Sequence, residues 1–177
     1  MLIGLIGKSN SGKDTTFELI NKNSTLLFEN VKFAGVLKNT LATLFNTPVD
    51  EFENRTFKEA KIYKDKSVRY MLEYFGAAGR KIDESFWVDM AMKNILPHKN
   101  YCFTDVKYPN EGLAIKEKGG ILIRINRPQT DYNTLMSERF INEIPIDYVL
   151  DNSKTVSYLE EQVRAILEDY NTEILLK

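Results

Sequence analysis

The sequence predicts an α/β fold of three layers, a parallel five-stranded sheet between two sets of helices. Three observations carry that prediction. Short apolar runs of strand length alternate with stretches whose apolar residues recur at helical spacing. The first run, Met1-Leu2-Ile3-Gly4-Leu5-Ile6, feeds the glycine-bearing turn Gly7-Lys8-Ser9-Asn10-Ser11-Gly12-Lys13-Asp14-Thr15, which opens into Thr16-Phe17-Glu18-Leu19-Ile20. The composition is that of an ordinary soluble globule, 43% hydrophobic and 28% charged over 177 residues. That length suffices for one domain, residues 1–177, with a proper core.

Taken in order, residues 1–6 read as a buried strand and 13–22 as the first helix. Leu26-Leu27-Phe28 and Val31-Lys32-Phe33 are short β-leaning fragments. Leu37, Leu41, Leu44 and Phe45 give a helix over 35–46, which Thr47-Pro48 breaks. The charged stretch 50–66 reads as a solvated helix with its connections. Helices follow over 67–78 and 84–96, the second ending at Pro97. Tyr101-Cys102-Phe103-Thr104 is a buried strand leading into Asp105. Residues 110–118 form a helix closed by Gly119-Gly120. Ile121-Leu122-Ile123-Arg124-Ile125 is another strand, and the polar stretch 127–143 holds few core candidates, as a mobile lid would. Asp147-Tyr148-Val149-Leu150 reads as the last strand. A C-terminal helix then turns Val156, Leu159, Val163, Ile166 and Leu167 inward.

Charge and cysteine content exclude several classes. A net charge of −1 leaves no bulk attraction for nucleic acid or for a membrane, so any phosphorylated ligand must meet a local cluster of Arg and Lys. Cys102 is the only cysteine, which rules out an intrachain disulfide and suits a reducing cytoplasm. No apolar run approaches the ~20 residues that a membrane span needs, and no basic leader precedes the N-terminal apolar run. His98 sits in a polar turn with no Cys/His cluster around it to suggest zinc.

The glycine turn has the order that a phosphate-binding loop requires: strand, loop, helix. Glycine lets backbone N–H groups face inward, the helix N-terminus favours negative charge, and Lys13 can reach the outer phosphates. The other reading is a turn that binds nothing. Asp14 follows Lys13 where many such loops carry Ser or Thr, which displaces the metal-side hydroxyl to Thr15, as in loops of the adenylate-kinase type. That points to small-molecule kinases rather than GTPases.

Ligands of open parallel sheets gather beyond the carboxyl ends of the strands. The loop, Asp105 and the segment after Ile125 should therefore share one cleft. Asp105 can hold Mg²⁺, directly or through water, together with Thr15. Its other reading, the N-cap of the next helix, is weakened because Pro109 lies four residues on. Arg127 is placed as a lid arginine, with Arg139 as a second candidate. Arg55, Arg69 and Arg80 offer guanidinium forks for a monophosphate, or else surface salt bridges. Trp87 could stack on a base or fill a core. Phosphoryl transfer needs positioning and charge neutralisation more than a protein nucleophile, so Lys13, Mg²⁺ and two or three arginines form a sufficient set.

These residues resemble the bacteriophage deoxynucleoside monophosphate kinases, within the P-loop kinase superfamily. The resemblance runs through Ser11-Gly12-Lys13-Asp14-Thr15-Thr16, Phe33-Ala34-Gly35-Val36-Leu37-Lys38, Val68-Arg69-Tyr70-Met71-Leu72, Phe75-Gly76 and Phe86-Trp87-Val88. It continues with Thr104-Asp105-Val106-Lys107-Tyr108-Pro109-Asn110-Glu111, which is similar to the family's D-x-R-x-P-N-E segment. Ile125-Asn126-Arg127-Pro128, Ser137-Glu138 and Asp147-Tyr148-Val149-Leu150-Asp151-Asn152 follow in the family's order. Lys107 stands where the family usually has Arg, and Leu135 where its lid has His.

The resemblance implies transfer of the ATP γ-phosphoryl group to a deoxynucleoside monophosphate with Mg²⁺, in a closed, water-poor cleft. It implies that Asn10, Ser11, Gly12, Lys13, Asp14 and Thr15 hold ATP, with Arg127 serving the lid over 127–143. Ser9, Arg55, Arg69, Gly76, Trp87, Asp105, Lys107 and Glu111 would line or support the acceptor site, much of it within residues 35–96. Lys13, Arg127 and Asp105 would carry the catalysis. The expected partners are small nucleotides, not nucleic acid or membrane, for a cytoplasmic monomer or homodimer. Two other readings stay open: another small-molecule P-loop kinase, of adenylate-kinase or phosphomevalonate-kinase type, and a nucleotide-binding switch without catalysis.

Overall fold

A computed structural model of the chain describes residues 1–128 and 140–175. They divide into two compact units, one of Met1–Val31 with Ile95–Lys177 and one of Lys32–Asn94.

The first unit is built on a five-stranded sheet in the order β2-β5-β1-β6-β7. Its strands are β1 (Leu2–Ile6), β2 (Phe28–Val31), β5 (Asn100–Val106), β6 (Ile121–Asn126) and β7 (Tyr148–Asp151). Every pairing is parallel, so all five carboxyl ends lie along one edge. Alternation along the strands decides which helix covers which face. Ile3 and Leu5 of β1 and Ile121, Ile123 and Ile125 of β6 pack with Leu19 and Ile20 of α1 (Lys13–Asn23). Leu159, Val163, Ile166 and Leu167 of α7 (Val156–Leu175) complete that core.

Gly4 and Leu122 face the other way, towards Ile115 of α6 (Pro109–Glu117). A side chain on Gly4 would come within 2.5 Å of Leu122 and 2.7 Å of Ile115, so glycine is what lets α6 lie so close. The three-layer parallel α/β fold expected from the sequence is the fold observed.

The second unit is mostly helical. It holds α2 (Gly35–Leu44), a 3-10 turn (Val49–Glu53), α3 (Arg55–Glu59), the hairpin β3 (Lys61–Tyr63) and β4 (Lys66–Ser67), α4 (Val68–Ile82) and α5 (Phe86–Met92). Its core gathers Leu37, Leu41, Ala42, Phe52 and Val68, with Phe57, Met71 and Trp87 packed against it.

Residues 50–66 hold more than the solvated helix with its connections that the sequence suggests. Phe52 is fully buried and meets Phe57 edge-on at 5.6 Å between ring centroids. The Asn54 side chain accepts the N–H groups of Thr56 and Phe57, starting a new helix. Lys64 takes a left-handed φ of 52° at the hairpin turn, and Ser67 caps α4 by accepting the Tyr70 N–H. Local polar side chains thus competed with a continuous helix and divided it.

Smaller differences follow the same logic. Helix α4 runs on to Ile82 and α5 stops at Met92, short of Pro97. Strand β5 extends past Thr104, so Asp105 lies inside it. Most of the expected lid, including Leu135, Ser137, Glu138 and Arg139, lies outside the described residues. Residues 140–147 are anchored rather than purely polar. Ile141 and Ile144 are buried, and their carbonyls accept the Arg124 guanidinium at 2.8 and 3.3 Å.

Candidate active site

The phosphate loop leaves β1 at the sheet's carboxyl edge and ends as the first turn of α1. Its backbone closes with the Ser11 N–H on the Lys8 carbonyl and the Thr16 N–H on the Gly12 carbonyl. Asn10 and Gly12 both take positive φ, 61° and 102°. A side chain on Gly7 would meet Ser11 Oγ at 2.4 Å and the Ile125 carbonyl at 2.9 Å, so the loop can fold back on β6 only over a bare Cα.

The N-cap of α1 is Gly12, which has no side chain to satisfy the first-turn N–H groups. A helix N-terminus of this kind favours a bound anion. Lys13 lies over the loop, its ammonium donating to the carbonyls of Gly7 at 2.8 Å and Lys8 at 2.7 Å. The Thr16 hydroxyl donates to the Gly12 carbonyl and is buried, while Thr15 is half-exposed. Of the two threonines, Thr15 is the one suited to the metal side. A glycine-turned cradle, an uncapped helix N-terminus and a lysine at its mouth fit a nucleoside triphosphate.

Two further residues reach this edge, as the sequence predicts. Arg127, one residue past β6, donates to the Asn10 carbonyl at 3.2 Å. Asp105 lies next to the end of β5, which pairs with β1 through Val106 and Ile6. The turn after Asp105 is held by Glu111. Its Oε2 accepts the N–H of Lys107 at 2.7 Å and of Tyr108 at 3.1 Å. Glu111 is buried, and burial together with the nearby charge of Asp105 pushes its carboxyl up to about 8. Such a group braces the β5–α6 turn through the backbone of Lys107 and Tyr108. Among the described residues no group of three or more His, Cys, Asp or Glu could hold a metal by protein ligands alone. Magnesium on a nucleotide needs only one or two protein oxygens beside the phosphates, so Thr15 and Asp105 fit that more modest task.

Arg55, Arg69, Gly76, Arg80 and Trp87 all belong to the second unit. Arg69, in the first turn of α4, is gripped by Glu59, with Nε at 2.7 Å and Nη2 at 2.6 Å from one carboxylate oxygen. Arg55 is exposed at the start of α3. Trp87 donates its indole N–H to the Gly76 carbonyl at 2.9 Å and packs on Gly79, fixing α5 to α4. Sequence reasoning missed Glu59, for ten residues and a hairpin separate it from Arg69 and no pattern links them. It also gave no role to Asn152, whose side-chain amide donates to the Ser11 carbonyl at 2.8 Å.

A protein of Acanthamoeba polyphaga mimivirus named "Putative deoxynucleotide monophosphate kinase" is 32% identical to this chain, covering 96% of it and 97% of the relative. The chain belongs to this family of P-loop kinases. In fold the kinase is similar to the dephospho-CoA kinase from Campylobacter jejuni, with a TM-score of 0.53 and 15% identity over 97% of the kinase and 98% of that structure. At that identity the likeness speaks for the fold alone. No protein-family model matches the kinase. No helix among its described residues is long and apolar enough to cross a membrane.

Proposed function

We propose that this kinase transfers the γ-phosphoryl group of ATP to a deoxynucleoside monophosphate, with Mg²⁺, and that it works in the cytoplasm as one kinase domain. An oxygen of the acceptor's phosphate attacks the γ-phosphorus, the bond to the β–γ bridging oxygen breaks, and ADP leaves as the deoxynucleoside diphosphate forms. The observation that carries the reading is the full-length relative named for this acceptor. The loop geometry of Asn10–Thr15 supports it, with Arg127 and Asp105 at the same sheet edge.

In this reading the backbone of Asn10, Ser11, Gly12, Lys13, Asp14 and Thr15 holds the triphosphate. Lys13 and Arg127 neutralise charge that builds as the phosphoryl group moves. Thr15 and Asp105 would hold Mg²⁺, which would supply charge neutralisation for the phosphate oxygens. Arg69 and Arg55 take the acceptor's phosphate, where a guanidinium fork matches two oxygens at once. Ser9, Gly76, Trp87, Lys107 and Glu111 line or support that acceptor.

The test is to incubate the protein with ATP, Mg²⁺ and each of the four common deoxynucleoside monophosphates, and to follow ADP. At least one of them should raise ADP release well above the ATP-only background. Release at background with all four sinks the proposal, and turnover with phosphomevalonate in their place selects a different acceptor. Tight ATP binding with no acceptor-dependent turnover selects a nucleotide switch.

A further inference from the structure

The chain just past β7 is held more firmly than an exposed turn requires. The N–H of Asn152 donates to the Asn126 carbonyl at 2.8 Å, continuing the β6–β7 ladder by one rung. Beside it, Gln162 of α7 grips both backbone groups of Asp151. Its Oε1 accepts the Asp151 N–H at 2.9 Å and its Nε2 donates to the Asp151 carbonyl at 3.0 Å. On the other side, the Asp151 carboxylate accepts the Ser153 N–H at 2.9 Å. The Asn152 backbone is thus fixed by the sheet, by α7 and by its own turn.

From that fixed point the Asn152 side chain reaches the phosphate loop. Nδ2 donates to the Ser11 carbonyl at 2.8 Å, joining residues 141 apart in sequence. The contact is close on its other side as well, because a side chain on Gly12 would meet Nδ2 at 2.3 Å. Ser11 and Gly12 are the residues at which the loop turns into α1, and the Ser11 carbonyl belongs to the same peptide unit as the Gly12 N–H. Holding that carbonyl outward fixes the plane of the peptide, and with it the direction of the N–H on its opposite side.

We propose that Asn152 is a positioning residue for the phosphate donor: a strut, braced through Asp151 by Gln162, that sets the peptide planes of the loop for triphosphate. Its role rests on the reading of residues 7–15 as a phosphate loop. Preorganised donors strengthen binding because their orientation is settled before the ligand arrives. Losing a neutral hydrogen bond of this kind weakens binding by about three- to ten-fold. Because the strut acts on the loop and not on the nucleoside, its loss weakens any ligand held through the phosphates and spares a ligand that lacks them.

The experiment measures equilibrium binding of ATP, inorganic tripolyphosphate and adenosine by calorimetry, with no acceptor present, to wild type, Asn152→Ala, Asn152→Leu and Gln162→Ala. Leucine keeps the volume beside Gly12 and removes the donor. Thermal melts check that each variant is folded, and Gln162→Ala, which leaves the loop contact itself intact, serves if neither Asn152 variant folds. The expected result is a rise of about three- to ten-fold in the Kd of both ATP and tripolyphosphate for the Asn152 variants. Gln162→Ala should give a smaller rise in the same two ligands, and adenosine should bind each variant as it binds wild type. Weakening of ATP and adenosine without tripolyphosphate, or no weakening at all, overturns the strut. Failure of wild type to bind either phosphate ligand instead overturns the phosphate loop itself.

Discussion

At the scale of single residues, the proposed transfer puts its greatest demand on Lys13. Its ammonium lies directly over the loop, donating to the carbonyls of Gly7 and Lys8. Replacing it with alanine should lower kcat/KM by about 10²- to 10³-fold, the usual cost of removing a donor aimed at developing charge. Wild-type turnover in Lys13→Ala, measured by ADP release at saturating acceptor, would remove the phosphate-loop assignment. Arg69→Ala should act on the other substrate, raising the acceptor KM about ten-fold or more while leaving the KM for ATP in place. An unchanged acceptor dependence would show that Arg69 serves only its bond to Glu59. The sequence made the places of Lys13, Asp105 and Arg127 legible because they follow from position at strand ends, which topology dictates. Glu59 and Asn152 stayed hidden because their partners, Arg69 and the Ser11 carbonyl, are neighbours only in space. Cys102, read as core filler, is fully buried in β5, and burial pushes its thiol well above the ordinary range. A thiol reagent should therefore leave the native protein unmodified and react once denaturant unfolds it.

At the scale of elements, two glycines of α4 separate close packing from mere helix dilution. A methyl on Gly79 would lie 2.6 Å from the Trp87 ring, whereas one on Gly76 would meet Leu37 at an ordinary 3.4 Å and the Arg80 guanidinium beyond it. Alanine gains about 1 kcal/mol over glycine inside a helix, and overpacking against a fixed ring costs about 1–3 kcal/mol. Gly79→Ala should therefore be destabilised, and Gly76→Ala unchanged or slightly more stable, in urea unfolding. Equal effects at the two positions would mean that Trp87 moves aside freely. The strands were the elements most legible in sequence, since a strand buried on both faces reads as an unbroken apolar run. Residues 50–66 were the least legible. Their many charges masked Phe52, and two short-range caps, Asn54 and Ser67, decided where chain direction changes.

At the scale of the whole molecule, two carboxyls set opposing limbs of the stability curve. Burial raises Glu53, but hydrogen bonds and charge from Lys38 and Lys32 outweigh it and hold that carboxyl at about 2, against an ordinary 4.5. As pH falls from 4.5 towards 2 the unfolded chain binds a proton that the folded chain refuses, so stability is lost on acidification. The loss is modest, about 1 kcal/mol or less, because Glu53 is 45% exposed and its ion pairs are screened. Glu111 acts in the opposite direction. Burial, with Asp105 beside it, raises its carboxyl to about 8, so from pH 4.5 upwards the folded chain keeps a proton that the unfolded chain has released. Stability therefore falls as pH climbs through that window. Glu111→Gln separates this limb from every other titration. One oxygen of Glu111, Oε2, accepts both the Lys107 and the Tyr108 N–H, and an amide oxygen can do the same. The amide nitrogen is then left as a donor on the side chain that adjoins the Asp105 charge, where the carboxylate was repelled. Thermal melts from pH 4.5 to 8.5 should show wild type declining with pH and the glutamine variant declining less. Parallel curves would mean that Glu111 is ionised throughout that range, with its two backbone donors outweighing burial.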